Sequence, residues 1–123
     1  MTIKISSAKA KGRRLQQWVA ERISAMTGIP WGPDEEIRSR EMGQSGVDVV
    51  LTGRARKLFP FFIECKAQET WSVPAWIRQA KANADSPMWL LVCKRNREDP
   101  VVMLDAGIFF DLVELRGRGG LGE

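Results

Sequence analysis

The chain predicts an α/β fold, a mixed central β-sheet with helices packed on it. Three observations carry that expectation. An amphipathic helical stretch opens the sequence, short apolar runs of strand length follow it, and a second amphipathic helix interrupts those runs. The 123 residues suit one domain with a single core, and a hydrophobic share of 44% is ordinary for a globular protein.

The elements follow in order. Ser6 and Ser7 are placed to cap a helix running to about Thr27. Leu15, Trp18, Val19, Ile23 and Met26 share one face of it, and Gly28 with Pro30 supplies the stop. Trp31 to Asp34 reads as a turn, Glu35 to Arg40 as a short polar or edge strand, and Met42 to Gly46 as a loop. Val47 to Leu51 and Phe61 to Lys66 are the two central strands, joined by a basic turn region from Gly53 to Lys57. A helix from Val73 to Ala84 comes next, with Ser72 as cap, Pro74 in its first turn, and Trp76, Ile77, Ala80 and Ala84 as its apolar side. Met88 to Cys93 and Val101 to Leu104 are further strands, and Ile108 to Leu115 is a final short helix. Residues 1–115 form one domain, and 116–123, with four glycines, form a flexible tail.

Composition narrows the chemistry. The sequence has no histidine, which removes His-based zinc sites, His general bases and His-containing triads. Cys65 and Cys93 lie in apolar, strand-like contexts where a reduced buried thiol is expected. No apolar run approaches the roughly 20 residues that span a bilayer, and the N-terminus has no signal-peptide core. An intracellular, cytoplasmic protein is therefore expected. The net charge of +4 and a pI near 9.4 favour a polyanionic partner. Lys4, Lys9, Lys11, Arg13 and Arg14 crowd the N-terminus, Arg38 and Arg40 precede Asp48, and further clusters fall at Arg54, Arg56 and Lys57 and at Lys94, Arg95 and Arg97. Four clusters around one candidate site point to DNA. The five tryptophans divide by position: Trp18, Trp76 and Trp89 at core-facing positions, Trp31 and Trp71 in turn or cap regions where a ring could also stack on a base.

The chemistry rests on two of the strands. Asp48 stands inside Gly46-Val47-Asp48-Val49-Val50-Leu51, and Glu64 and Lys66 close Phe61-Phe62-Ile63-Glu64-Cys65-Lys66. A buried carboxylate persists only when paired or bound to a cation. Alternation puts Glu64 and Lys66 on one face of their strand, and a hairpin-like register brings Asp48 to them. Two carboxylates with water and a phosphate oxygen suit Mg²⁺, with Mn²⁺ as a substitute. Such a cation polarises a phosphate and activates a water, and Lys66 stabilises the charge that develops on the phosphate.

These residues resemble the PD-(D/E)XK nuclease superfamily, with Val47-Asp48 in place of the Pro-Asp step and Glu64-Cys65-Lys66 as the E-x-K. The likeness is strongest to archaeal-type Holliday junction resolvases and their phage relatives, through Lys11-Gly12-Arg13-Arg14 on the first helix and Gly43-Gln44-Ser45-Gly46-Val47-Asp48 before the strand. The resemblance implies a restriction-endonuclease-like core, Asp48, Glu64 and the Cys65 carbonyl as metal ligands, and Lys66 as the catalytic lysine. Gln16 stands where those resolvases carry a helix glutamate, and Ser45 corresponds to their loop serine; Glu41 is another acid near the site. Gln79 resembles a helix glutamine found in several branches of the superfamily, and Gln68 shares the face of Lys66. The function implied is a Mg²⁺-dependent endonuclease cutting four-way DNA junctions as a homodimer, with apolar parts of the Val73 to Ala84 helix and the 108–113 segment as dimer surfaces. A RecB-like or restriction-type nuclease, or an inactive DNA-binding module of the same fold, are the alternatives.

Overall fold

A computed structural model describes residues 5–40 and 46–118. The elements run α1 (Ile5–Thr27), β1 (Ile37–Ser39), β2 (Val49–Leu51), α2 (Gly53–Leu58), β3 (Phe62–Ala67), α3 (Val73–Ala84), β4 (Trp89–Lys94), β5 (Val101–Leu104) and α4 (Ala106–Arg118). The strands form one sheet in the order β1-β2-β3-β4-β5. Only β3 and β4 are parallel, which is the pair bridged by α3; the other neighbours are antiparallel. The expected α/β architecture with a mixed sheet is the one observed.

Strand alternation sends the core to two sides. Ile37, Val49, Leu51, Ile63, Leu90 and Val92 face α1 and pack with Leu15, Val19, Ala20 and Ile23. Phe62, Leu91 and Cys93 face α3 and pack with Trp76, Ala80 and Ala84. Cys65 belongs to the first side and Cys93 to the second, so the sheet separates the two thiols. Burial raises both: Cys65 well above the usual thiol range, and Cys93 to about 11.

Several expectations are corrected. Helix α1 begins at Ile5, ahead of the serines expected to cap it. Its buried stripe is narrower than the apolar pattern: Trp18 is 44% exposed and Met26 63%, because both lie on the flank of the Leu15-Val19-Ile23 row. Ser72 does occupy the cap position of α3, but its side chain makes no capping bond; its carbonyl accepts the Trp76 N–H at 3.0 Å. The basic segment after β2 is a helix, α2. Its N-terminus is held by Glu36 Oε1, which accepts the Ala55 N–H at 3.0 Å and sets an acid where the helix dipole favours one. Gly53 begins it with φ +55, and a Cβ there would stand 2.8 Å from that same oxygen. Helix α4 continues to Arg118, beyond the Leu115 end expected for it and into the segment expected as tail; residues 119–123 lie outside the described residues. No described helix is long and apolar enough to cross a membrane.

Candidate active site

The sheet register assembles the site. Val49 pairs with Ile63, so Asp48 and Glu64 stand opposite one another at the point where β2 and β3 part. Ladder pairing ends there, and the side chain of Asp48 takes over: its Oδ2 accepts the Cys65 N–H at 2.7 Å. One strand amide thus fixes the carboxylate beside β3. In the other direction, Arg40 donates its backbone N–H to the Asp48 carbonyl at 2.7 Å, and its Nε donates to the Val47 carbonyl at 2.5 Å. Gly46, at φ +101, passes close beneath that guanidinium, where a Cβ would come to 3.2 Å. Arg40, expected as a DNA contact, is here engaged in holding the approach to Asp48.

Glu64 is 2% exposed, on the α3 side of the sheet. Asn83 of α3 donates its amide to Glu64 Oε1 at 2.5 Å. Burial pushes the Glu64 carboxyl up to about 7; the Asn83 bond and the nearby Lys66 oppose this rise, while the charge of Asp48 adds to it. Lys66 follows two residues along the same face, its Nζ 5.8 Å from the ring centre of Trp76. Asp48, Glu64 and Lys66 thus come together as the sequence pattern requires.

The other expected residues are distributed differently. Gln16 is 5% exposed on α1, the layer packed on the face of the sheet opposite Glu64 and Lys66. Ser45 and Glu41 lie outside the described residues. Arg38 is opposite Val50 on β1, on the same face as Asp48, and its Nη1 donates to the Glu35 carbonyl at 3.1 Å. Lys9, Arg13 and Arg14 are exposed on α1 and Lys11 is half-buried there. Gln79 is exposed on α3, one turn before Asn83, and Gln68 is exposed beyond the end of β3. Asn83 was absent from the sequence-based set. Its signal was a polar residue seven positions after Trp76, within the stripe that otherwise carries Ala80 and Ala84.

A divalent cation fits this donor set. Burial and the charge of Asp48 both raise the proton affinity of the Glu64 carboxyl, which is the cost a bound cation relieves. No group of three or more acidic or cysteine side chains gathers among the described residues. Among the described residues, Asp48 and Glu64 are the carboxylates placed to share a cation, a pair that would leave positions for water and phosphate, as a hard divalent cation prefers.

Comparison with known proteins assigns the chain to a family. No curated protein and no solved structure matches the chain. A family model described as "Phage putative PDDEXK endonuclease" matches residues 7–114. That span runs from the first turns of α1 into α4 and contains every element that builds the site. With Asp48 and Glu64-Cys65-Lys66 gathered at the rim of the sheet, the chain belongs to this phage family of the PD-(D/E)XK nuclease superfamily.

Proposed function

We propose that this nuclease is a Mg²⁺-dependent, structure-selective DNA endonuclease that resolves four-way junctions by paired cuts as a twofold dimer. The observation that carries the catalytic part is the pairing of Asp48 with Glu64 on neighbouring strands, with Lys66 on the same face. Asp48 and Glu64 would hold the cation, with the Cys65 carbonyl as a further donor. When bound, the cation withdraws electron density from the phosphate and lowers the pKa of a water. The remaining work falls to the chain's own groups. The Cys65 N–H and the Asn83 amide each orient one carboxylate, so that neither must reorganise as the phosphate enters. Lys66 donates to a non-bridging phosphoryl oxygen as water adds to phosphorus and the bond to the leaving oxygen breaks.

The dimer is supported by α4. None of its residues is buried, yet Phe109, Phe110, Leu112, Val113 and Leu115 are 40–67% exposed. At 100° per residue they cover more than half its circumference, with Asp111, Glu114 and Arg118 on the remaining side. A second copy offering the same face buries that surface and supplies the second active site that symmetric cutting needs.

The test offers purified protein a labelled four-way junction and a linear duplex of the same sequence, with Mg²⁺ or Mn²⁺. Paired symmetric nicks in the junction are expected, with the duplex spared. Asp48→Asn, Glu64→Gln and Lys66→Ala are each expected to abolish cleavage while leaving junction binding within a few-fold of wild type. Preferential attack on the duplex or its ends replaces the resolvase reading by a RecB-like or restriction-type one. Full cleavage by any of the three variants removes the site assignment.

A further inference from the structure

On the face of the sheet opposite Glu64, a second groove begins one residue beyond Lys66. Ala67 forms part of its floor. One wall is α1, where Lys11, Arg14, Leu15 and Trp18 follow one another at helical spacing along a single side. The facing wall is the turn from β4 to β5, with Lys94, Arg95, Asn96, Asp99 and Pro100. The groove encloses about 430 Å³ and presents four cations against one carboxylate. Its lip is fixed, because Glu69 accepts the Asn96 N–H at 2.7 Å and so ties the end of β3 to the turn. Arg95 lies 3.8 Å from Glu98 in an exposed pair, a contact weak enough to yield to a phosphate.

Beyond Trp18 the walls change character. The groove continues along α1 past Val19, Ile23 and Met26, facing Phe59, Val92 and Val102. Trp18 stands at the junction of the two halves and is 44% exposed, although it lies on a helix that buries Leu15 and Val19 on either side of it. A basic channel that passes an exposed indole into an apolar trough fits a ligand with charged phosphates and flat apolar faces. A duplex hides its base faces by stacking; an unpaired strand offers them.

We propose that this groove binds an unpaired nucleic-acid strand, with phosphates against Lys11, Arg14, Lys94 and Arg95 and a base stacked on Trp18. The proposal deepens the nuclease reading and rests on it for the identity of the ligand as nucleic acid. Ala67 follows Lys66 in the chain, so a strand leaving the carboxylates would round the end of β3 to reach the groove on the other face. The enzyme would thereby hold single-stranded DNA next to the bond it cuts, favouring substrates with locally open base pairs.

The experiment measures binding separately from cleavage. Full-length protein carrying Asp48→Asn is titrated, by fluorescence anisotropy at two salt concentrations, against a labelled thymidine oligonucleotide and against a blunt duplex of equal length. Trp18→Ala is expected to weaken single-strand binding about tenfold, in line with the loss of one base–aromatic stack. Duplex affinity should move less than twofold, and Trp18→Phe should restore most of the loss. Lys94→Glu combined with Arg95→Glu should weaken single-strand binding and flatten its salt dependence, each lost phosphate contact lowering the slope by about 0.7. Single-strand affinity indifferent to Trp18→Ala, with the variant folded by circular dichroism, overturns the proposal. So does an equal loss for duplex. Wild-type cleavage is scored in parallel: strand binding through Trp18 without cleavage keeps the groove and removes the nuclease reading, whereas cleavage with no Trp18 effect does the reverse.

Discussion

Three ionised residues at this site were legible because they broke a local rule. Asp48, Glu64 and Lys66 each sit in or at the end of an apolar strand, where a charge without a purpose is costly. Asn83 broke no such rule, since an amide on a half-exposed helix is unremarkable until the sheet brings Glu64 beneath it. That amide nevertheless sets how readily Glu64 ionises, because its hydrogen bond favours the carboxylate against burial and against Asp48. Replacing Asn83 by Ala is therefore expected to raise the pH at which cleavage begins. Activity at pH 7 should fall several-fold, with most of it regained near pH 8.5, while affinity for DNA stays unchanged. A pH–rate profile checks this, because a variant that merely loosened the fold would lose activity evenly across the range. Gln16 is buried on α1 beside Leu15, so the helix position that the resemblance singles out is an interior one, occupied here by an amide rather than a carboxylate.

At the scale of elements, periodicity revealed helices and strands that pack, and failed where an element is held by a single contact. Helix α3 was readable from end to end because Pro74 and the Trp76-Ala80-Ala84 stripe agree. Helix α2 was not, since GRARKL carries no apolar period and only Ala55 is buried. What organises it is Glu36, distant in sequence, together with a glycine in the left-handed region. Gly53→Ala should accordingly cost about 1–2 kcal/mol of stability, from the strained backbone and the crowding of Glu36, measurable by urea unfolding. Trp18 shows the opposite error. Its spacing suited the core, yet the buried stripe of α1 is satisfied by Leu15, Val19, Ala20 and Ile23 and leaves the larger ring outside. The apolar 108–113 stretch of helix α4 reads from the sequence as a surface for a partner, whereas the continuation of the helix to Arg118 does not, because glycine-rich sequence after Leu115 suggests a tail. Phe110, at 67% exposure, is the most exposed of its apolar residues. Phe110→Glu is expected to convert a dimer into a monomer by sedimentation or light scattering, with the circular dichroism spectrum unchanged and the melting temperature no longer dependent on protein concentration. A monomeric wild type would assign that surface elsewhere.

For the molecule as a whole, the site costs stability, and the cost should be visible as a pH dependence of folding. The Glu64 carboxyl has an ordinary value of 4.5 and is raised to about 7 in the folded chain. The folded state therefore binds this proton more tightly than the unfolded state does. Its stabilising contribution is complete below about pH 4.5 and is lost as pH rises through about 7, levelling off above. At about 1.4 kcal/mol per unit, the loss is on the order of 3 kcal/mol, a sizeable share of the 5–15 kcal/mol (roughly) that holds a domain of this size together. Metal-free protein should thus melt at a lower temperature at pH 8 than at pH 5.5, and the difference between wild type and Glu64→Gln should carry the effect, since the amide has no proton to lose. A divalent cation should act in the opposite sense. By binding the two ionised carboxylates of the folded chain alone, Mg²⁺ or Mn²⁺ at about a hundred times its dissociation constant should return roughly 2.7 kcal/mol at pH 8. It should do little at pH 5.5, where the proton already occupies Glu64. Thermal unfolding of wild type, Glu64→Gln and Asp48→Asn, each with and without the metal at both pH values, reads all of this directly. Equal metal stabilisation of wild type and both variants would show that the cation binds somewhere other than between Asp48 and Glu64, and the catalytic centre would have to be sought there.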